Sequence, residues 1–200
     1  LVSRTRSELE ETAAIVPNSM VYPGDLQIES EVRQLVDHVE RNVGAVDVLV
    51  NSAGIYHFGP VTETTEDDFD RVINTNLKGT FLTCRFVLGY MTKRRRGHIV
   101  NIASIAGKVG SAGRSLYCAS KFGVVGFTES LLQEVREQGV RVSLVCPGST
   151  NTGFSPKDLD GKSRDRMLQP TDVAEAIGML VGQEANSLIS EVVMRPAMKP

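Results

Sequence analysis

The sequence predicts a three-layer αβα protein built on a doubly wound parallel sheet. Three observations carry that prediction. Short β-branched runs alternate with longer helical stretches down all 200 residues. The central runs are apolar almost throughout, as a sheet covered on both faces requires. The segments joining them are long enough to hold a helix, so the chain returns to the same end of the sheet and neighbouring strands run parallel.

Strands are expected at residues 19–22, 46–50, 98–103, 140–146 and 188–194. Helical spacing of apolar residues marks 29–42, 65–91, 115–138 and 171–181. Thr65 with Asp68 three positions on has the form of a capping box, and Gly97 and Gly139 stand where helix-ending glycines belong. The basic run from Lys93 to Arg96 reads as a solvated helix end, where cations are favoured.

Composition narrows the function classes. With 41% hydrophobic and 23% charged residues, 18 Gly and no Trp, the chain is of ordinary globular type and long enough for a single domain over 1–200. A formal net charge of −2 gives no field to recruit nucleic acid or an anionic membrane. No apolar run approaches the roughly 18 residues of a membrane span. Cys84, Cys118 and Cys146 are far apart and form no Cys-x-x-Cys pair, and His38, His57 and His98 are equally scattered, so neither a metal site nor a disulfide framework is expected. A reduced, cytoplasmic compartment fits such cysteines best.

In this architecture ligands bind outside the carboxyl ends of the strands, so the residues there are the candidates. After the strand at 46–50 comes Asn51-Ser52-Ala53-Gly54, whose small residues let a flat ligand approach the backbone. After 98–103 comes Ser104, opening a loop with Gly107, Gly110 and Gly113 that reads as flexible. After 140–146 comes Pro147-Gly148-Ser149-Thr150-Asn151-Thr152, a rigid turn followed by hydroxyls. Taken singly, each also fits an ordinary turn.

Tyr117 and Lys121 follow as an i, i+4 pair near the start of a helix, one turn apart on one face, with the small residues between them keeping that face open. A tyrosine is a poor acid or base at neutral pH, its pKa lying near about 10. A fixed ammonium favours the phenolate and lowers that value, which makes the hydroxyl usable as a general acid or base. Asn76 shares a helical face with Phe69, Val72, Ile73 and Thr80, so its amide points inward and needs partners, as a core asparagine would too.

In order and spacing, Asn51-x-Ala-Gly, Asn76, Ser104 thirteen residues before Tyr117, Lys121 and Pro147-Gly148 resemble the short-chain dehydrogenase/reductase family of the classical type, most closely its 3-oxoacyl-carrier-protein reductase branch. The resemblance spans the chain and implies a Rossmann-like domain. It implies that Tyr117 is the acid/base on the carbonyl or alcohol oxygen and that Ser104 holds that oxygen. By the same resemblance Lys121 lowers the tyrosine pKa and binds the nicotinamide ribose, and Asn76 supports a water-mediated proton relay to Lys121. Pro147, Gly148, Thr150 and Thr152 match the cradle of the nicotinamide, Asp25 and Leu26 the turn that reads the adenine, and Asn51, Ala53 and Gly54 the segment under the adenosine ribose. Ser52 stands where the family usually has a second Asn, and Ala103 where it often has a first Ser.

Val2-Ser3-Arg4-Thr5-Arg6 matches the end of the family's second strand. An acidic residue at the Ser3 position would favour NAD; Ser3 with Arg4 and Arg6 favours the 2′-phosphate of NADP, with NAD the less expected cofactor. The resemblance also places a further strand-helix unit of about 30 residues, with a Gly-rich phosphate loop, ahead of Leu1. Without that strand, the sheet is expected to show a gap at its centre.

The expected function is NADP(H)-dependent interconversion of a ketone and a secondary alcohol. The expected substrate is a small carbonyl or alcohol compound, with acyl-carrier-linked compounds as one class, and family resemblance implies a homodimer or homotetramer formed through the helices at 65–91 and 115–138. Substrate choice is expected to rest on residues 153–169, with Met167, Leu168, Tyr56, His57 and Phe58 as candidate lining. The alternative is a reductase-like binding or regulatory protein that keeps the fold without turnover.

Overall fold

The computed structural model describes residues 1–154, 161–184 and 186–199. Four parallel strands form its main sheet in the order β3-β4-β5-β6: β3 (Val48–Asn51), β4 (Gly97–Ile102), β5 (Val140–Pro147) and β6 (Glu191–Met194). Asn51 lies beside Asn101, Ile102 beside Val145 and Pro147 beside Met194, so the carboxyl ends of the strands line up along one rim. A separate two-stranded parallel sheet pairs β1 (Val2–Ser3) with β2 (Tyr22–Pro23).

No hydrogen-bonded ladder joins the two sheets among the described residues. β3 is therefore an edge strand, and Val48 and Val50 are 36% and 40% exposed. The sequence led us to expect this strand to be covered on both faces, whereas the face that carries Val48 and Val50 is only partly covered.

Two helical layers cover the main sheet. On one face α2 (Glu29–His38), α4 (Gly79–Arg94) and α5 (Ser115–Val135) bury Val32, Leu82, Met91 and Leu131 against Ile99 and Val142. On the other face α7 (Pro170–Val181) buries Leu180 against Val100 and Val145. Ile99 and Val100 are neighbours that serve opposite faces, as the period-two pleat dictates. α1 (Arg6–Ile15), which was not read from the sequence as an element, follows β1, and the short α6 (Gly161–Asp165) precedes α7.

The Thr65–Asp68 capping box is present: the Thr65 hydroxyl accepts from the Asp68 N–H at 3.1 Å and Asp68 accepts from the Thr65 N–H at 3.3 Å. It starts α3 (Glu66–Ile73). The long helix expected over 65–91 is divided: a π-helical turn, Asn74–Lys78, separates α3 from α4. Residues 39–43, expected as the end of the helix from 29, also form a π-helical turn.

Two readings of the helix ends need correction. Arg95, not Gly97, takes the left-handed conformation that ends α4, at φ 52°. Gly97 opens β4, where Met91 fills the space that a Cβ would occupy. Gly139 does cap the end following α5, at φ 76°. In the basic run, Arg94 is not solvated: it forms an ion pair with the nearly buried Glu40 at 2.9 Å and donates to the Val46 carbonyl, tying the end of α4 to the approach to β3.

Candidate active site

The rim formed by β3, β4 and β5 gathers most of the candidate residues. Ser104 leaves β4 in extended conformation and caps a 3-10 turn, Ile105–Gly107, through the Ala106 N–H at 3.1 Å. Its hydroxyl donates weakly to the Pro147 carbonyl at 3.4 Å, which places it at the end of β5.

Tyr117 and Lys121 stand in the first two turns of α5, and the Lys121 ammonium lies 5.9 Å from the Tyr117 ring centroid. Lys121 is 5% exposed and donates to the Ile102 carbonyl at 3.1 Å. Burial pushes its pKa down to about 8. Burial also raises the Tyr117 pKa, a shift only partly opposed by the nearby Ser104 hydroxyl; the neighbouring Tyr56 adds to the rise and the Arg114 charge opposes it. The net direction is upward because desolvation dominates, and the Tyr117 hydroxyl keeps its proton at neutral pH.

Asn76 sits in the π-helical turn and is 1% exposed. Its amide accepts from the Ile55 N–H at 2.7 Å and donates to the Ile55 carbonyl at 3.0 Å and to the Ser120 hydroxyl at 2.9 Å. Ser120 passes the chain on to the Tyr117 carbonyl at 2.7 Å. The loop after β3 and the first turns of α5 are thereby clamped to one asparagine. A Cβ on Gly54 would lie 3.3 Å from Asn76 Oδ1 and 3.6 Å from Lys121 Nζ, so this glycine admits both groups to the rim.

The remaining candidates divide into two groups. Asn51 is buried, accepts from Thr83 at 2.7 Å and donates to Asn101 at 2.9 Å, and Asn101 donates to Thr128 at 2.9 Å; its amide is part of the core, and Ser52 and Ala53 are the exposed part of the turn. Gly148 is fixed by its N–H to Met194 at 2.8 Å, and a Cβ there would meet Ile105 and Pro196. Thr150 pairs with Leu168 in an isolated bridge, and Thr152 accepts from the Phe154 N–H at 3.3 Å. Leu168 thus serves the backbone of this strap, while residues 155–160 of the expected specificity segment lie outside the described residues.

The second group lies at β1 and β2, apart from this rim. Ser3 accepts from the Thr5 N–H at 3.1 Å, and Arg6 pairs with Glu10 at 3.5 Å, whereas Arg4 is exposed with no carboxylate partner among the described residues. Asp25 accepts from the Gln27 N–H at 2.9 Å, and Leu26 packs on Gly79.

Comparison with known proteins gives this geometry a context. A family model described as short chain dehydrogenase matches residues 1–162. The chain belongs to the short-chain dehydrogenase family. It is 34% identical over 200 residues to a sepiapterin reductase of Chlorobaculum tepidum, covering 98% of this chain and 82% of that one. It is 36% identical over 172 residues to the 3-oxoacyl-[acyl-carrier-protein] reductase FabG of Thermotoga maritima, covering 82% and 70%. Among solved structures, a metagenomic short-chain oxidoreductase in complex with NADP superposes with a TM-score of 0.84 at 34% identity, over 100% of this chain and 85% of that one.

In this short-chain dehydrogenase the rim presents hydrogen-bond donors. The Lys121 ammonium carries three donors, of which Ile102 takes one, and it faces the Gly54 turn. Sequence reasoning missed Ser120, treated only as a small spacer; its place three residues after Tyr117 and next to Lys121 was the available signal. Gly107 was read as part of a flexible loop, yet it is buried, and a Cβ there would lie 2.7 Å from the Lys121 carbonyl. It is required for the close approach of α5.

Proposed function

We propose that this chain is an NADP(H)-dependent oxidoreductase that interconverts a ketone and a secondary alcohol, with Tyr117 as the general acid/base. The observation carrying this reading is the half-buried Tyr117, with the Ser104 hydroxyl near it and the Lys121 ammonium 5.9 Å from its ring centroid. When bound, the dinucleotide supplies or accepts the hydride.

The protein's part is orientation and proton handling. Tyr117, protonated at neutral pH, gives its proton to the carbonyl oxygen during reduction. Ser104, bound only weakly to Pro147, turns its hydroxyl to the same oxygen and stabilises the charge developing there. Lys121 would give its spare donors to the nicotinamide ribose and keeps positive charge beside Tyr117. Asn76 holds the β3 loop against α5 so that these groups keep their spacing, which suits a role in relaying protons to Lys121.

Pro147, Gly148, Thr150 and Thr152 would hold the nicotinamide end of the dinucleotide, and Asn51, Ala53, Gly54, Asp25 and Leu26 its adenosine end. Unpaired Arg4, beside Ser3, suits a 2′-phosphate, and the NADP complex of the similar metagenomic oxidoreductase supports that choice. The resemblance to FabG makes an acyl-carrier-linked substrate one candidate class.

The exposed rings of Phe81 and Phe122 on α4 and α5 suit a homodimer or homotetramer built on those helices. No helix among the described residues is long and apolar enough to cross a membrane, and the three free cysteines suit a reducing cytoplasm.

The test is Tyr117→Phe in the full-length protein. NADPH-linked ketone reduction should disappear while NADPH binding, followed by fluorescence, is retained; undiminished turnover would remove Tyr117 from the chemistry.

A further inference from the structure

Beside Tyr117 stands a cation that none of the roles above uses. Arg114 immediately precedes α5, three residues before Tyr117, and its guanidinium carbon lies 5.8 Å from the centroid of the Tyr56 ring. Tyr56 in turn packs edge-on against Tyr117, with ring centroids 5.0 Å apart at 70°. The three side chains form a continuous series from the half-buried Tyr117 ring to the exposed Arg114.

That series is fixed by the backbone. The Gly59 N–H donates to the Gly113 carbonyl at 2.9 Å, joining the loop after β3 to the loop before α5. Gly113 takes φ 72°, and a Cβ there would lie 2.7 Å from the Phe58 ring. Tyr56 and Arg114 are thus held on either side of a pinned junction.

The charge on Arg114 is uncompensated. It has no carboxylate partner among the described residues, in contrast to its loop neighbour Lys108, which Glu191 holds at 2.7 Å. His57, the other basic group of this junction, bonds to Thr64 at 3.2 Å and lies 3.8 Å from Asp68. An arginine resting on an aromatic ring keeps its planar fork of donors directed rather than dispersed in water. Such a fork matches a carboxylate by two parallel hydrogen bonds.

We propose that Arg114 and Tyr56 form an anion-binding subsite next to Tyr117, and that the substrate is therefore an oxo acid or hydroxy acid whose carboxylate is received by Arg114. A single uncompensated cation matches a monoanion. This inference rests on the oxidoreductase reading above and deepens it: the ketone oxygen meets Tyr117 and Ser104, while the carboxylate a few bonds away fixes which end of the molecule enters.

The experiment uses the full-length protein with NADPH and three probe ketones, 2-oxobutanoate, acetoacetate and levulinate, each beside its methyl ester. The series varies the number of carbons between ketone and carboxylate. At low salt, kcat/KM should be higher for at least one acid than for its ester, and that preference should shrink as ionic strength rises. Arg114→Gln should lower kcat/KM for that acid by about tenfold or more relative to its ester, the size of a lost charge-assisted hydrogen bond. Arg114→Lys should restore part of the preference.

A preference for the ester at every chain length, or an equal loss on acid and ester in Arg114→Gln, overturns the anion subsite while leaving the oxidoreductase reading intact. Failure to reduce any of the six compounds overturns the subsite, and failure to reduce simple uncharged ketones and aldehydes as well overturns the oxidoreductase reading.

Discussion

The hydroxyl of Ser120 accepts a hydrogen bond from the Asn76 amide at 2.9 Å and donates its own proton to the Tyr117 carbonyl at 2.7 Å. One buried hydroxyl therefore couples the π-helical turn to the helix that carries Tyr117 and Lys121. Ser120→Ala would leave an Asn76 N–H without its partner inside the protein, at a cost of about 1–3 kcal/mol. We expect a lower Tm and a lower kcat, with the KM for a ketone substrate changed less than kcat. Thermal denaturation and steady-state kinetics of the variant measure both; an unchanged kcat with a reduced Tm would confine Ser120 to a structural role.

Gly107 tests whether the loop after Ser104 is shaped by packing or by flexibility. A Cβ there would lie 2.7 Å from the Lys121 carbonyl and 2.9 Å from Val125 Cγ2. Neither the backbone of α5 nor a buried valine can yield cheaply, so Gly107→Ala should destabilise the protein by about 1–3 kcal/mol. Gly110, which has nothing within 4 Å of its Cβ position, is the control. Equal Tm values for Gly107→Ala and Gly110→Ala would sink the packing explanation.

The parts of the site legible in the sequence were those set by local periodicity. Tyr117 and Lys121 share a face because they are four residues apart in a helix, and the Thr65–Asp68 box and the apolar runs of β4 and β5 are equally local. What escaped depends on tertiary approach. The π-helical turn at Asn74–Lys78 adds a residue to a pattern that otherwise reads as one uninterrupted helix, and such turns often stand at functional sites. Arg94 looks like any basic helix end until Glu40, 54 residues away in sequence, is folded against it. The net upward pKa direction of Tyr117 follows from burial, which an i, i+4 spacing does not reveal.

His98 supplies an acid-side prediction. It is 1% exposed; Ser143 donates to the Ile189 carbonyl at 2.7 Å, so the His98 Nε2–H must donate to Ser143, at 2.9 Å, and Nδ1 is left buried without a partner. Burial, with the nearby Arg141 charge, pushes its pKa down to about 4 from the ordinary 6.5. A depressed folded-state pKa means that the unfolded chain binds more protons between those values, so stability is fully present above about 6.5 and is lost as pH falls towards 4. His98→Phe should flatten the pH dependence of stability in that window. Urea denaturation at several pH values measures it, and parallel wild-type and variant curves would exclude His98 as the cause.

Lys121 gives the corresponding alkaline prediction, and here stability and activity move in opposite directions. Its folded-state pKa of about 8 lies below the ordinary 10.5 because burial disfavours the ammonium. Between those values the unfolded chain again binds more protons, so stability rises as pH increases from about 8 to 10.5. The full effect is about 3 kcal/mol. At pH 7 the buried charge is a destabilising feature retained at the site, and Lys121→Met should narrow or reverse its stability deficit there relative to pH 10. Activity should fall above pH 8 in the wild-type protein, since the group that loses its proton is the one proposed to keep positive charge beneath Tyr117. Denaturation of wild type and Lys121→Met across pH 7–10.5, set beside the pH profile of kcat/KM, tests both halves. A stability difference independent of pH would show that Lys121 is not held near 8, and the alkaline limb of activity would then need another group.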